Sequence, residues 1–244
     1  MALPTSIAPV SPASVAPAAD GRSTPTRRVI GPLRLAMGLV LLAAVGTQII
    51  DEAVHDAFVP AEYFSYFTIQ SALMAAVVLI LAGLSALRQR ADSEAFTSVR
   101  LMIFAYMIIT GAVYAALLRG IPTDGYPGIT WPNEALHVWA PIFIALDWLL
   151  APGRARLTWK PLRLAIVFPV LWLGYTLIRG AITGSYPYPF LDPAQPDGWT
   201  GVVLYIVGIA AVILALTAVG IASTRLNRGR RAEPSTGMPS TTAA

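Results

Sequence analysis

Residues 73–84 read LMAAVVLILAGL, twelve positions without a charge. They show neither the alternation of a half-buried strand nor the polar face of a surface helix, and a segment apolar all round belongs in a deep core or against lipid. Runs of this kind recur along the chain. Six are expected as transmembrane helices, over approximately 31–50, 65–87, 101–118, 135–151, 164–182 and 201–223. Each is near the roughly 20 residues an α-helix needs to cross about 30 Å of hydrocarbon. Composition agrees: 56% of the 244 residues are hydrophobic, only 12% are charged, and the mean hydropathy is +0.64, far from a water-soluble mix. No segment alternates as barrel strands do. The expected fold is therefore all-α, a polytopic membrane bundle of six helices over residues 30–224. Tails over 1–29 and 225–244, rich in Ala, Pro, Ser and Thr, are expected to be disordered, because they lack the apolar surface to offset chain entropy.

Charge sets the expected orientation. Arg22, Arg27, Arg28 and Arg34 precede or open the first span, and Arg88, Arg90 and Arg100 lie between the second and third. Arg154, Arg156, Lys160 and Arg163 separate the fourth from the fifth, and Arg225, Arg228, Arg230 and Arg231 follow the sixth. Fifteen of the seventeen basic residues thus fall on one side, with Arg119 and Arg179 opposite. By the positive-inside rule both termini are cytoplasmic. The outer side carries Asp51, Glu52, Asp56, Glu62, Asp124, Glu134, Asp192 and Asp197. The net charge of +4 reflects this anchoring and gives no reason to invoke nucleic acid. No apolar core precedes residue 30, so no cleavable signal peptide is expected. The chain has no cysteine, which removes disulfides, thiolate nucleophiles and cysteine metal clusters from consideration.

The polar residues inside the spans carry the chemistry. In WPNEALHVWAP (131–141), Asn133 is suited to cap the fourth helix and Glu134 to its positive end. His137 follows one turn in. Helix potential and desolvation both disfavour a charged imidazolium, so a neutral ring able to accept a proton is expected. Pro141 has no N–H for the carbonyl of His137, which loosens the helix there. Ser65, Thr68 and Ser71 recur every third residue on the second span, with Gln70 flanking them. Such hydroxyls are ordinarily interhelical glue. The topology, however, puts Thr68 at the same outer depth as His137, and a hydroxyl beside a neutral imidazole has the parts of an activated nucleophile and its base.

Other readings stand beside this one. Glu52-x-x-His55 and Glu134-x-x-His137 repeat a spacing found in di-iron bundles, but the further glutamates such a site needs are not inside spans. No metal is therefore assigned. Arg119 and Arg179 are expected to snorkel or to pair with Glu62, Asp124 or Glu134, with an anionic lipid head as the alternative. Asp147 is expected to pair with Arg154 or Arg156. The aromatics Tyr63, Phe64, Tyr126, Trp131, Tyr186, Tyr188 and Trp199 fit an interfacial belt. A non-catalytic transporter or lipid-binding protein could use the same outer cavity.

Three segments resemble a known family, the six-span androgen-induced protein and androgen-dependent TFPI-regulating protein family with its bacterial membrane relatives: YFSYFTIQSAL (63–73), WPNEALHVWAPIFIALD (131–147) and YTLIRGAITGSYPYPFLD (175–192). The resemblance extends in order over residues 31–223. It implies a threonine hydrolase acting on fatty acid esters of hydroxy fatty acids, with Thr68 as nucleophile and His137 as its partner. It implies no cofactor and membrane lipids as partners, and with bacterial relatives it suggests a bacterial inner membrane. The oxyanion and substrate-binding candidates are Gln70, Ser71, Asn133, Arg119 and Arg179, among which sequence does not select.

Overall fold

The computed structural model describes residues 23–121 and 126–226, which are mostly helical with no strand among them. Among the described residues, five helices are long and apolar enough to cross a membrane. The first is α1 (Pro25–Val54), capped by Thr24 and started by a proline whose missing N–H costs nothing at that position. The short α2 (Pro60–Tyr63) leads into α3 (Phe67–Arg88). Ser93 caps α4 (Glu94–Val113), accepting from the Phe96 amide at 3.1 Å. That helix widens into a π-turn over Tyr114–Leu118. The short α7 (Lys160–Leu164) leads into α8 (Val167–Thr183), which ends at Gly184, whose φ of 72° is the left-handed geometry that favours glycine. The last is α9 (Gly198–Leu226).

The expected fourth span differs in kind. It is helical from Thr130 to Leu150 but in three pieces: α5 (Thr130–Glu134), a π-turn (Ala135–Trp139) and α6 (Ala140–Leu150). Asn133 does not cap it. Ile129 precedes the first turn, and Asn133 sits inside the helix with its side chain turned to Tyr114. The expected tails need correction too, since α1 begins at Pro25, within the segment read as disordered. Residues 1–22 and 227–244, and with them the remainder of both tails, lie outside the described residues, as does Asp124.

The bundle is organised around α1 and α3, its most extensive helix pair. They approach closely because Gly31 and Gly83 face each other's helix: a Cβ on Gly31 would stand 3.1 Å from the Gly83 carbonyl oxygen. Small residues at a crossing are how membrane helices gain packing contacts without a hydrophobic driving force. The core continues through Leu41, Leu79, Leu101, Met107, Leu136 and Ile144, joining α1, α3, α4, the second π-turn and α6.

At the end of the bundle where α3 gives way to α4, a buried charge network closes the structure. Asp92 takes Arg27 at 2.7 Å and also pairs with Arg100. Asp147 takes Arg34 at 2.8 Å and Arg100 at 2.7 Å. Asp147 is thus paired with Arg34 and Arg100, not with the Arg154 or Arg156 that its position in the chain suggested. Ser85 also donates to Asp92, at 3.1 Å. Burial pushes Asp92 up, but Arg100 and Arg27 outweigh it and hold the carboxyl below the usual carboxylate range.

Candidate active site

The opposite end of the bundle holds the candidate site. Thr68 is the second residue of α3, so its amide lies in the first turn, where no intrahelical carbonyl is available. Ser65 therefore falls outside the helix, and the expected stripe of three hydroxyls is not one helix face. Ser65 donates to the Glu62 carbonyl at 2.6 Å, and its own carbonyl accepts from the Trp172 indole at 2.9 Å.

His137 lies in the middle of the second π-turn. A π-turn inserts one residue into the helical repeat and re-aims what it carries, and it falls where Pro141 withholds the amide that an α-helix would offer to the His137 carbonyl. The neighbouring helix accommodates this backbone: a side chain at Gly111 of α4 would meet the His137 carbonyl oxygen and the Pro141 ring at 3.0 Å. Above Gly111, the first π-turn presents Tyr114, whose ring stacks on the imidazole with centroids 4.4 Å apart.

Thr68 Oγ1 is 3.3 Å from His137 Nε2. The directions of these hydrogen bonds follow from chemistry. His137 Nδ1 is 2.9 Å from the Asn133 carbonyl oxygen, which can only accept, so Nδ1 carries the proton and Nε2 presents its lone pair. Thr68 accordingly donates to Nε2. Asn133 also donates its side-chain amide to the Tyr114 hydroxyl at 2.9 Å, which fixes the ring stacked on the histidine.

A residue read as part of an aromatic belt completes the site. The Tyr188 hydroxyl is 3.3 Å from both Thr68 N and Thr68 Oγ1. It accepts from the amide, and with Thr68 already donating to His137, its own hydrogen is directed at Oγ1. Pro187 and Pro189 bracket Tyr188, and the residue before a proline is held extended, as observed at φ −132°, ψ 132°. Its ring stacks on Phe190 at 5.2 Å, meets Tyr66 edge-on at 5.6 Å and packs at a tilt against Trp172 at 5.9 Å. Burial pushes the phenol up to about 12, so it remains a donor throughout the physiological range. The motif Tyr-Pro-Tyr-Pro-Phe was the available signal, a rigid double-proline turn carrying a hydroxyl.

Beside Thr68 opens a cavity of about 210 Å³ whose walls are almost wholly apolar. Phe67, Trp172, Leu173, Tyr188, Ile209 and Ile213 are among its lining residues, from α3, α8, α9 and the turn before α9. His137 is not among them. A second cavity of about 240 Å³, at the start of α9, shares Leu118 and Phe190 with the first as a partition and includes Asp192 and Asp197.

The remaining candidates are engaged elsewhere. Gln70 is partly exposed and donates to the Phe64 carbonyl at 2.8 Å. Ser71 donates to the Thr68 carbonyl at 3.1 Å and lies 3.4 Å from the Thr110 hydroxyl. Arg179 donates to the Ser185 carbonyl at 3.1 Å, and Arg119 is exposed beyond the first π-turn. Neither arginine lines the cavities, and neither is ion-paired with Glu62 or Glu134 among the described residues. His55 lies apart, stacked on Tyr126 at 4.2 Å with Nδ1 2.8 Å from the Asp51 carbonyl oxygen. No group of three His, Asp or Glu side chains placed to hold a metal occurs among the described residues.

Fold and site together define a class, an all-helical protein with several membrane-length apolar helices and a threonine–histidine contact beside an apolar cavity. No protein-family model, curated protein or solved structure matches the chain.

Proposed function

We propose that this protein is a membrane-embedded lipid ester hydrolase with Thr68 as nucleophile and His137 as base. Its acyl substrates are of the kind the family resemblance implies, fatty acid esters of hydroxy fatty acids. In this reading the chain has six spans, with Thr130–Leu150, about 30 Å of helix, as the fourth. Both termini are then cytoplasmic, and the site lies at the outer leaflet. The observation that carries the reading is the 3.3 Å contact between Thr68 Oγ1 and His137 Nε2, opening directly onto an apolar cavity.

The chemistry follows from the two sides of Thr68. Its proton passes to His137 Nε2 as Oγ1 attacks the ester carbonyl. The leaving oxygen must lie within reach of the protonated imidazole to take that proton back, so the alcohol half lies on the His137 side. The acyl chain then extends the other way, into the apolar cavity, which a hydrocarbon enters without losing hydrogen bonds to water. Water activated by His137 releases the fatty acid and restores Thr68.

Purified protein in detergent, given a long-chain fatty ester and a fluorophosphonate probe, is expected to turn over the first and be labelled by the second. Thr68→Ala and His137→Ala should each reduce both on the order of a thousandfold or more. Turnover that survives both substitutions overturns the assignment. Saturable binding of the ester with no hydrolysis by the unaltered chain replaces it with a transport or lipid-carrying role.

A further inference from the structure

We propose that Tyr188, with the main-chain amide of Thr68, forms the oxyanion-stabilising site, an inference that rests on Thr68 being the nucleophile. The starting arrangement is a directed chain of hydrogen bonds: Tyr188 hydroxyl to Thr68 Oγ1, Thr68 hydroxyl to His137 Nε2, His137 Nδ1 to the Asn133 carbonyl. Its direction is set at one end by a carbonyl that cannot donate. When the Thr68 O–H bond breaks, the proton goes to Nε2 and the freed electron pair forms the bond from Oγ1 to the acyl carbon. The carbonyl π pair moves onto its oxygen. Oγ1, now an ester oxygen, is a poorer acceptor, and the phenolic hydrogen 3.3 Å away is free to turn to the new oxyanion. The Thr68 amide, which in the resting site donates to the phenol at 3.3 Å, becomes the second donor. No proton leaves Tyr188 in this step. Collapse of the intermediate breaks the bond to the alkoxy oxygen, which takes the proton from Nε2.

Position and rigidity both favour this role. Tyr188 and Thr68 line the same cavity, so an acyl chain lying there puts its carbonyl between the two. The donor is 7% exposed, bracketed by prolines and held by the rings of Phe190, Tyr66 and Trp172. Little reorganisation is then needed as charge develops, the condition under which such donors act most strongly. Gln70, Ser71 and Asn133 are committed to other partners.

The test compares the unaltered chain, Thr68→Ala and Tyr188→Phe on a long-chain p-nitrophenyl ester. Two inhibitors of matching length are added: a trifluoromethyl ketone that forms a tetrahedral adduct with a nucleophilic hydroxyl, and an uncleavable ether. Tyr188→Phe is expected to lower kcat by about a hundredfold or more, with KM within threefold. It should weaken the ketone by a similar factor and leave ether binding unchanged, since only the tetrahedral species carries the charge. Equal weakening of ketone and ether, or a kcat within threefold of the unaltered chain, overturns the proposal. Should Tyr188→Phe fail to fold, 3,5-difluorotyrosine at 188 keeps the size and makes the phenol more acidic, and the alkaline limit of kcat should move down; an unmoved limit overturns the proposal. Full activity in Thr68→Ala removes the hydrolase reading itself, and Tyr188 with it. An inactive Thr68→Ala beside a fully active Tyr188→Phe overturns the oxyanion assignment alone.

Discussion

Thr68 is at once the second residue of a helix, a donor to an imidazole and the neighbour of a phenol. Only the hydroxyl matters to the proposed chemistry, whereas the β-methyl matters to packing in a site that leaves the residue 6% exposed. Thr68→Ser should therefore retain turnover within about tenfold of the unaltered chain, while the isosteric Thr68→Val should retain none, because it removes the nucleophile. A Thr68→Val chain that still hydrolyses ester shows that another group attacks. At this scale the sequence was informative about Thr68 and His137, since helix direction and register put both near one depth. Tyr188 was not legible. A tyrosine in a proline-rich turn between apolar runs has the composition of an interfacial anchor; the bracketing prolines signal a rigid turn, but not that its ring folds inward over a residue 120 positions away.

Among the elements, the two π-turns matter most. One carries His137 and the other Tyr114, and they stack these rings on each other. Pro141 hinted at a loosened helix, but an inserted residue leaves no periodic trace in an apolar run, so the change of phase could not be read. Pro141→Ala restores an amide for the His137 carbonyl and favours a regular α-helix. Removing the extra residue turns His137 by about 100° relative to α6, away from Thr68. The expected result is at least a tenfold loss of kcat with the protein still folded, checked by kinetics beside a thermal unfolding curve. Unchanged kcat means that the π-turn is held by the surrounding packing, Gly111 included, rather than by the proline.

For the molecule as a whole, membrane-length helices were legible because hydrocarbon imposes length and composition together. The charge network was not, because it joins α1, the turn after α3, α4 and α6 across as many as 113 positions. Its arginines read naturally as cytoplasmic anchors. Three arginines share two aspartates there, so Asp92→Asn leaves Arg27 buried without a carboxylate and Arg100 with Asp147 alone, and should cost about 3–5 kcal/mol, measured by unfolding in mixed micelles. The same pair gives a pH dependence. Asp92 has a folded value below its unfolded one, so its contribution is present above the ordinary carboxylate range near 4. As pH falls through that range the unfolded chain binds the proton first, and stability drops until the folded carboxyl is protonated as well. The unaltered chain should show this acid limb, and Asp92→Asn should show a shallower one.

The cavity beside Thr68 is enclosed on one flank by α8 and α9, spans of which only 17% is buried, against 50% for α3. In the proposed setting that flank meets the surrounding lipid tails rather than other protein. Bilayer thickness and lateral pressure then act directly on the volume offered to an acyl chain, while the α1–α3 pair stays fixed by its glycine contact. Under the proposed function, preference among acyl chains is then partly a property of the membrane.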